Sequence, residues 1–309
     1  MRILVVASYN KGCFAPFVNE QAEALMRAGC EVEFFGVQGK GLKGYLNNLP
    51  LLKKRIKEFS PNVIHAHYGM SGLLANLQRK VHLVTTYHGS DINDKRILPF
   101  SKMAMQLSAW NIFVSQKTLE IAKPKRDYSL LPCGIDLTEL QLIGKSEARR
   151  KMKLSATKKY ILFAGAYDNA VKNAALAKEV VALMHDEKVE MLELRGYTRE
   201  EVTLLMCACD VFLMTSFTEG SPQVIKEALA CGCPIVSVDV GDVKERIKGV
   251  AGCYVSEAFD CKELLQQVRK AFCFEGKTDG RERVIKDGLD NNSIAKQMIE
   301  IYNKVIGNC

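Results

Sequence analysis

Residues 209–240 read CDVFLMTSFTEGSPQVIKEALACGCPIVSVDV, and this stretch has an apolar run at each end with a helical pattern between them. Each apolar run has the length of a strand, and the middle segment repeats its apolar residues at helical spacing. Two strands joined by a helix lie parallel in one sheet, because the chain must cross over between them. The stretch therefore predicts a βαβ unit.

The same alternation of strand-like and helix-like segments runs through the whole chain and restarts once. The second start is YILFAGAY at 160–167, after the polar and strongly basic stretch 139–159. We therefore predict an α/β fold with two Rossmann-like parallel-sheet domains, 1–140 and 155–291, and a cleft between them. A closing helix at about 292–309 is expected to pack back on the first domain. In the first half, strands are predicted at about 2–8, 32–37, 62–67, 82–87, 110–115 and 128–132, and helices at about 17–28, 44–59, 70–79, 97–107 and 116–122.

The charge balance favours anionic partners, since 43 Lys and Arg face 35 Asp and Glu, for a net charge of +8. No helix-turn-helix, zinc-finger or RRM signature accompanies this charge, so nucleic acid is not expected as a partner. On the predicted helix 44–59, Lys53, Lys54, Arg55 and Lys57 lie mostly opposite the apolar side. This basic side is either solvated or docks on an anionic membrane surface or lipid diphosphate.

The location is predicted from the absence of long apolar runs. No run reaches the roughly 18 to 20 residues that span a bilayer, and the N-terminal segment MRILVVAS is typical of a first strand. We expect a cytoplasmic protein, peripheral on the inner face of the cell membrane.

Eleven cysteines are expected to be free thiols in this setting. They include two CxC pairs, Cys207 with Cys209 and Cys231 with Cys233, but no histidine stands at zinc-finger spacing from either pair. No metal site and no cofactor are therefore predicted.

The helix inside 209–240 has the features of a phosphate site. Ser221 suits an N-cap and Pro222 a first helical position, so the amides of Gln223 and Val224 should have no partner within the helix. Such amides, with the helix dipole behind them, form a cradle for phosphate. Glu219 and Glu227 flank this point and would accept hydrogen bonds from sugar hydroxyls at the two ends of a diphosphate. On spacing alone, Glu219 could equally cap the helix and Glu227 be a solvated helical residue.

This E-x7-E pattern, within EGSPQVIKEALACGCPIVSVDVGDVKE, resembles the signature of glycosyltransferase family 4. Members of that family are retaining enzymes of the GT-B fold, and the resemblance extends to the enzymes of bacterial polysaccharide and lipid-linked glycan synthesis. It implies transfer of a sugar from a nucleotide-diphosphate sugar to a glycan or lipid-linked acceptor, without metal. By the same resemblance, Glu219 contacts the transferred sugar, Glu227 holds the ribose, and the amides of 221–224 bind the diphosphate.

Other segments match the family in order along almost the whole chain. GCFAPFVNEQAEALMRAGCEVE resembles the first loop and helix, where Gly12 would approach the donor or acceptor closely. VTTYHGSDIN places the family's sugar-contacting histidine at His88, and VIHAHYGMSG ends in His67 and Tyr68, candidate acceptor contacts. Because His65 and His67 alternate along one strand, both should face the same side, and buried structural roles stay open for them.

One departure from the family lies in ILFAGAYDNAVKN, where the usual arginine after the glycine is Ala166. The partner lysine is present as Lys172 and would neutralise the leaving diphosphate, and Arg195 is a candidate substitute for the lost cation. Loss of a charge-assisted contact costs about 1 to 3 kcal/mol, which favours weaker donor binding. Two alternatives therefore stay open: a nucleotide-sugar epimerase of the same fold, and a catalytically weak nucleotide-binding subunit.

Overall fold

A computed structural model describes residues 1–307 of the chain, and these form two compact units. The first unit contains residues 1–134 and the segment that begins at residue 290, and the second contains residues 135–289. Both are α/β units built on a parallel sheet, as the sequence predicts. The strands are β1 (Arg2–Ser8), β2 (Glu31–Val37), β3 (Val63–His67), β4 (Leu83–Tyr87), β5 (Trp110–Phe113), β6 (Tyr128–Leu130), β7 (Lys159–Phe163), β8 (Val189–Glu193), β9 (Val211–Met214), β10 (Ile235–Val238) and β11 (Tyr254–Ser256).

Helices connect these strands in both units, and one short 3-10 helix, Ala170–Lys172, follows β7. The α-helices are α1 (Pro16–Arg27), α2 (Gly41–Leu46), α3 (Leu49–Phe59), α4 (Gly69–Asn76), α5 (Ser90–Asn93), α6 (Leu98–Leu107), α7 (Gln116–Ala122), α8 (Lys145–Lys151), α9 (Ala174–Ala182), α10 (Arg199–Ala208), α11 (Gln223–Ala230), α12 (Val243–Ile247), α13 (Cys261–Phe272), α14 (Gly280–Lys286) and α15 (Asn291–Gly307).

The first unit has the sheet order β2-β1-β3-β4-β5-β6, with helices on both faces. Successive side chains of a strand point to opposite faces, so Ile3 and Val5 of β1 pack into one core cluster and Leu4 and Val6 into another. The first cluster includes residues of α1 and α15, and the second includes residues of α3 and α4. Burial of β1 on both faces explains why its sequence is a continuous apolar run.

The second unit has the sheet order β11-β10-β9-β7-β8 and one continuous core. Strands β7 and β9 lie side by side, with Leu162 opposite Phe212, although β8 comes between them in the sequence. The chain thus leaves β7 toward one side of the sheet and later returns on the other side.

Each sheet therefore has a point where the strand order reverses: between β1 and β3 in the first unit, and between β7 and β9 in the second. The loops after two such strands diverge and leave a crevice at the carboxyl edge of the sheet, where ligands of open α/β sheets bind. The loops that follow these four strands are accordingly the ones that matter for function.

The structure corrects two predicted elements. Predicted helix 44–59 is two helices, α2 and α3, because the Asn48 side chain donates to the carbonyls of Gln38 and Gly44, each at 2.8 Å, and breaks the helical path. Predicted strand 160–167 ends at Phe163, because the amide of Gly165 turns back to the Phe163 carbonyl at 2.8 Å.

Closing helix α15 begins at Asn291, after Asp290, whose carboxylate accepts from the Ser293 amide at 3.0 Å. It packs with α1 against the first sheet. Of the predicted range 292–309, the last two residues lie outside the described part of the chain. Among the described helices, none combines the length and the apolar character needed to cross a bilayer.

Candidate functional site

Lys172 lies at the strand-order reversal of the second unit, and its backbone is held by the end of β9. The Thr215 hydroxyl donates to the Lys172 carbonyl at 3.0 Å and to the Asn173 carbonyl at 2.9 Å. The aliphatic part of the lysine passes over Gly165, where a Cβ would come within 2.8 Å of Lys172 Cγ. A glycine is therefore needed after β7 to let this side chain cross the end of the sheet.

The loop after β9 brings Glu219 to the same place. Lys172 Nζ lies 2.7 Å from Glu219 Oε1, and both side chains are about one fifth exposed. The sequence predicted both residues as catalytic, and the structure brings them together. The pair presents one cation and one carboxylate to the surface at the crevice of this sheet.

Helix α11 begins close by but differs in detail from the prediction. Its N-cap is Pro222 and its first residue is Gln223, one residue later than expected. Ser221 does not cap the helix, because its hydroxyl donates to the buried carboxylate of Asp242 at 2.7 Å. The first internal hydrogen bond runs from the Ile225 amide to the Pro222 carbonyl at 3.2 Å, so the amides of Gln223 and Val224 precede it, as the phosphate cradle requires.

A second loop supports the residues that precede α11. Gly241 has φ +56°, and a Cβ there would lie 2.4 Å from the Gly220 carbonyl oxygen. Asp242 next to it accepts from Ser221 and also from Arg246 Nε at 2.8 Å. The segment 219–221 is thus held in place by the close backbone contact between Gly241 and Gly220 and by the buried carboxylate of Asp242.

Glu227 is not the solvated helical residue that its spacing alone allowed. It is 4% exposed and accepts from Arg199 Nη1 at 2.6 Å. Arg199 opens α10 and also lies 3.6 Å from Glu139. A carboxylate is costly to bury unless it is paired, so the contact with this arginine offsets the cost of burying Glu227.

Ala166 supplies no cation at this edge of the sheet, and the candidate substitute, Arg195, is engaged elsewhere. Its guanidinium pairs with Asp168 in the loop after β7, and both side chains are more than half exposed. A contact between Arg195 and a diphosphate stays a prediction.

In the first unit, His88 follows β4 and lies against His67 at the end of β3. His67 Nδ1 and His88 Nε2 are 3.0 Å apart, and the other His88 ring nitrogen is 3.6 Å from Cys133 Sγ. His88 is half-buried rather than exposed, and Phe17 packs on its ring at 4.6 Å. Because both ring nitrogens have neighbours, the His88 tautomer depends on His67 and Cys133.

His67 itself is 1% exposed, so the structure places it beneath His88 and not at a surface that an acceptor could reach. His65 and His67 do face the same side, with ring centroids 4.5 Å apart. Burial lowers the pKa of His67 to about 3 and that of His65 well below its usual value. Both rings are therefore neutral at physiological pH, in line with the buried alternative.

Tyr68 and Gly12 lie at the same carboxyl edge. Tyr68 has φ +72° and is half-buried, and its ring lies edge-to-face with that of Phe17, with 6.3 Å between the ring centroids. Gly12 has φ +72° with open space where a Cβ would stand. Gly12 thus suits a close approach by a ligand, although no contact in the described residues tests that role.

Asp91 joins the ends of β3 and β4 and was not among the site residues predicted from the sequence. Its two oxygens accept from the amides of Gly69 at 2.9 Å, His88 at 3.0 Å and Gly89 at 3.1 Å. Burial nevertheless raises its pKa to about 6. This carboxylate fixes the backbone that carries His88 and the start of α4.

Arg199 also escaped the sequence reasoning, although a signal was present. A capping box of Thr198 and Glu201 marks the start of α10, so Arg199 falls in the first turn of a helix. A cation there opposes the helix dipole and is expected only where a carboxylate compensates it. Asp242 had no comparable signal for a role at this site, because its partner Ser221 lies 21 residues earlier and becomes its neighbour only in the folded chain.

Comparison with known protein families gives two matches, one for each half of the chain. Residues 15–139 match the model described as Glycosyltransferase Family 4, and residues 150–272 match that described as Glycosyl transferases group 1. The two matches together account for most of the chain and contain the residues predicted after β3, β4, β7 and β9.

Among curated proteins, the chain is similar to the putative teichuronic acid biosynthesis glycosyltransferase TuaC of Bacillus subtilis. The two are 27% identical over 223 residues, which is 63% of this chain and 57% of that protein. The chain spans less than two thirds of the length of the curated relatives that it matches.

Among solved structures, sucrose-phosphate synthase from Thermosynechococcus elongatus has a TM-score of 0.82 at 17% identity, with both chains covered completely. HepE from Anabaena in complex with UDP has a TM-score of 0.75 at 16% identity, covering 98% of this chain and 100% of that one. At such identities the likeness shows the fold alone, and it confirms the GT-B class.

Proposed function

We propose that this chain, which belongs to glycosyltransferase family 4, transfers a sugar from a nucleotide-diphosphate sugar to a glycan or lipid-linked acceptor with retention of anomeric configuration. The observation that carries the proposal is the contact between Lys172 and Glu219, 2.7 Å long, at the strand-order reversal and in the segment that leads into α11. The UDP in the similar HepE structure makes uridine nucleotides the first donors to test.

The Lys172–Glu219 pair suits a ligand that is anionic at one end and rich in hydroxyls at the other. An ammonium group has three N–H donors, so Lys172 can hold Glu219 and a phosphate oxygen at once. Glu219 keeps a second oxygen with which to accept from a hydroxyl of the transferred sugar. The first amides of α11 would take the remaining phosphate charge.

Glu227 is proposed to hold the nucleotide ribose. Its carboxylate is paired with Arg199 at 2.6 Å, and two carboxylate oxygens offer about four acceptor positions, more than one arginine uses. A pair of ribose hydroxyls is the complementary donor set. The buried position also fixes the direction in which those hydroxyls must approach.

Catalysis would come from stabilising the leaving diphosphate. Lys172 and the α11 amides are positioned before the reaction, so they need no reorganisation when negative charge develops on the leaving oxygen. Attack from the same face as the leaving group requires no protein nucleophile, and the leaving phosphate would accept the proton of the acceptor hydroxyl. His88 is proposed as a sugar contact, as the family resemblance implies.

The first unit is also proposed to dock on an anionic membrane surface at the cytoplasmic face, where a lipid-linked acceptor would be found. Lys53, Lys54, Lys57 and Lys80 surround a cavity of about 800 Å³ at the edge of the sheet where β3 and β4 begin. This is the edge opposite to His88. The cavity lining contains no acidic residue.

The donor proposal is tested by thermal shift with UDP, GDP, ADP and their sugars. A ligand present at one hundred times its Kd stabilises the native state by about 2.7 kcal/mol, a rise in Tm of several degrees. We expect this rise for at least one nucleotide in the wild type and its loss in Glu227→Gln. Glu190→Gln is the matched control, since Glu190 also pairs with a cation, Lys158 at 2.8 Å, but its side chain is 43% exposed on β8. Absence of any shift in the wild type would contradict the proposal.

Turnover distinguishes the enzyme classes once a binding nucleotide is known. Proton NMR of the anomeric signal, with the nucleotide sugar and no acceptor, would reveal an epimerase by a new sugar isomer. A transferase instead releases nucleotide when a glycan or lipid-linked acceptor is supplied, and this release depends on Glu219, so Glu219→Gln should retain nucleotide binding and lose release. Nucleotide binding by the wild type without turnover, both in the absence and in the presence of such acceptors, would identify a nucleotide-binding subunit and refute the transferase.

A further inference from the structure

Phe217 and Phe259 form an exposed aromatic pair in the second unit. Phe217 lies in the loop after β9, two residues before Glu219, and Phe259 lies in the loop between β11 and α13. Their ring centroids are 5.5 Å apart and the ring planes are tilted by 48°, within the range that aromatic pairs prefer. The two residues are nevertheless 57% and 48% exposed, so the pair offers apolar surface to a ligand. The proposed transfer reaction uses neither residue.

The backbone places Phe217 close to the proposed sugar contact. The Phe217 amide donates to the Val171 carbonyl at 2.9 Å, and Lys172, the next residue, contacts Glu219 at 2.7 Å. The two residues from Phe217 to Glu219 span at most about 7 Å of chain. Val171 is itself exposed, so a third apolar side chain lies at this end of the segment. A ligand held at Glu219 is therefore within reach of the rings.

The loop that carries Phe259 is held by hydrogen bonds on both sides of the ring. The Ser256 hydroxyl donates to the Ala258 carbonyl at 2.6 Å, and Asp260 caps α13 by accepting from the Lys262 amide at 2.8 Å. Ordering of loops and side chains opposes binding, so a ring that is already placed binds at lower entropic cost. The two rings are therefore a preformed surface.

Three carboxylates stand within two residues of the rings in the sequence: Glu219, Glu257 and Asp260. They outnumber the cations paired with them, Lys172 and Lys244, which disfavours an anionic ligand at this surface. An alkyl chain would displace water from the carboxylates without offering them hydrogen bonds. A sugar ring has C–H groups on its face and hydroxyl donors around its edge. It therefore matches an apolar surface bordered by carboxylate acceptors.

We propose that Phe217 and Phe259 bind one face of a neutral sugar ring in the acceptor glycan. The C–H groups of such a face carry a partial positive charge and pack on the negative face of an aromatic ring. The assignment to the acceptor rests on the proposed function, which gives the diphosphate to the first amides of α11 and the ribose to Glu227. These groups all follow Glu219 along the chain, whereas Phe217 precedes it. The nucleotide is therefore held at one end of this row of contacts, and the rings at the other end are left for the acceptor.

Saturation-transfer NMR of the full chain tests the aromatic pair in the absence of nucleotide. The probes are methyl β-glucopyranoside and methyl β-cellobioside, which are neutral and have C–H groups on the faces of their rings. We expect saturation of the protein's aromatic protons to reach the ring C–H protons of at least the cellobioside. Packing on a C–H face selects only weakly among hydroxyl patterns, so absence of transfer to both glycosides would overturn the proposal.

Variants assign the signal to these two rings. Phe217→Ala and Phe259→Ala should each reduce the transfer several-fold, and Phe217→Leu should do the same, since leucine is apolar but lacks an aromatic face. Tyr128→Ala is the matched control, because Tyr128 is 49% exposed and also packs against another aromatic ring, that of Phe113. This control should leave the transfer unchanged. An equal loss in Tyr128→Ala, or full transfer in Phe217→Ala and Phe259→Ala, would overturn the proposal.

Nucleotide affinities separate the acceptor from the donor. Calorimetry should give Phe217→Ala the wild-type affinity for UDP and for UDP-glucose, because the rings contact no part of the donor. A weaker affinity for both would place the nucleotide on the rings, a weaker affinity for UDP-glucose alone would place the transferred sugar there, and either result would overturn the acceptor assignment. If the wild type binds no nucleotide, the proposed function fails, and saturation transfer still decides whether the rings bind sugar.

Discussion

At the scale of single residues, the burial of Glu227 rests on Arg199. The glutamate side chain is 5% exposed and the arginine side chain 34% exposed, with 2.6 Å between their charged atoms. Removing the arginine leaves a buried carboxylate without its partner, which costs about 3 kcal/mol. We expect Arg199→Ala to lower the free energy of unfolding by about this amount in urea titrations, and to weaken nucleotide binding as well.

Arg195→Ala is the control for this substitution, because Arg195 lies on the same edge but pairs with Asp168 at the surface. Exposed ion pairs contribute little to stability. The control should unfold within measurement error of the wild type. A similar loss of unfolding free energy in both variants would show that the buried Arg199–Glu227 pair stabilises the protein no more than the exposed pair does.

His67 gives a prediction about pH. Its pKa is about 3 in the folded protein, below the ordinary 6.5, because the ring is buried. Between pH 6.5 and pH 3 this histidine binds a proton in the unfolded chain but not in the folded chain. Its contribution to the free energy of unfolding is therefore fully present above about pH 6.5 and is lost as the pH drops. From pH 7 to pH 5 this single histidine removes about 2 kcal/mol of unfolding free energy.

Comparison of His67→Gln with the wild type isolates that contribution. Asp91 has the opposite effect on stability, since its pKa of about 6 means that the folded protein binds this proton at a higher pH than the unfolded chain does. Because Asp91 is present in both proteins, its effect cancels in the comparison. We expect urea midpoints at pH 7 and pH 5 to show the acid loss reduced by about 2 kcal/mol in His67→Gln. Equal curves for wild type and His67→Gln would contradict the burial argument.

At the scale of elements, the loop 239–242 supports the segment before α11 through one close backbone contact. Gly241 and Gly249 both have positive φ, +56° and +80°, but only a Cβ at 241 meets another backbone atom, the Gly220 carbonyl oxygen at 2.4 Å. Gly249→Ala should therefore cost about 1 kcal/mol, from backbone strain alone. Gly241→Ala should cost at least twice as much and displace Glu219.

Chemical denaturation and nucleotide binding check the two glycine variants together. The expected result is normal nucleotide affinity in Gly249→Ala and weaker affinity in Gly241→Ala, measured well below either melting temperature. Equal losses of stability in both variants would mean that the loop moves away from Gly220 without cost.

The helices and strands also show what can be predicted from the sequence. Strands β1 and β3 and helices α1 and α11 were predictable because apolar periodicity is a local property of the chain. The break at Asn48 was not, since that side chain bonds the Gln38 carbonyl, ten residues earlier, and a distant acceptor leaves no periodic trace. For the same reason Ser221 was predicted as a cap, whereas in the fold its hydroxyl bonds Asp242.

The residues of the candidate site also fall into those that the sequence predicted and those that it did not. Lys172 and Glu219 were found because they stand beside strand ends in recognisable segments. Arg199 and Asp91 were missed because their partners, Glu227 and the amides at the ends of β3 and β4, come from other elements. Sequence thus locates the groups that face a ligand more readily than the groups that hold them in place.

At the scale of the whole molecule, the cations behind the net charge of +8 differ in whether they form ion pairs. Many cations form ion pairs within the described chain, but the ammonium groups of Lys53, Lys57 and Lys80 pair with no carboxylate there. They surround one cavity together with the apolar side chains of Ile56 and Val81. A surface with unpaired cations around apolar side chains is complementary to anionic lipid headgroups.

Vesicle sedimentation tests this surface against net charge alone. Each basic residue near an anionic bilayer contributes about 1 kcal/mol, so the triple variant Lys53→Glu, Lys57→Glu, Lys80→Glu should bind phosphatidylglycerol vesicles at least tenfold more weakly than the wild type. The control variant, Lys188→Glu, Lys262→Glu, Lys286→Glu, changes the net charge equally on exposed lysines of the second unit and should bind nearly as the wild type does. Equal weakening in both would assign the attraction to overall charge. Binding to phosphatidylcholine vesicles that equals binding to phosphatidylglycerol would refute an electrostatic surface, because only a charged headgroup distinguishes the two.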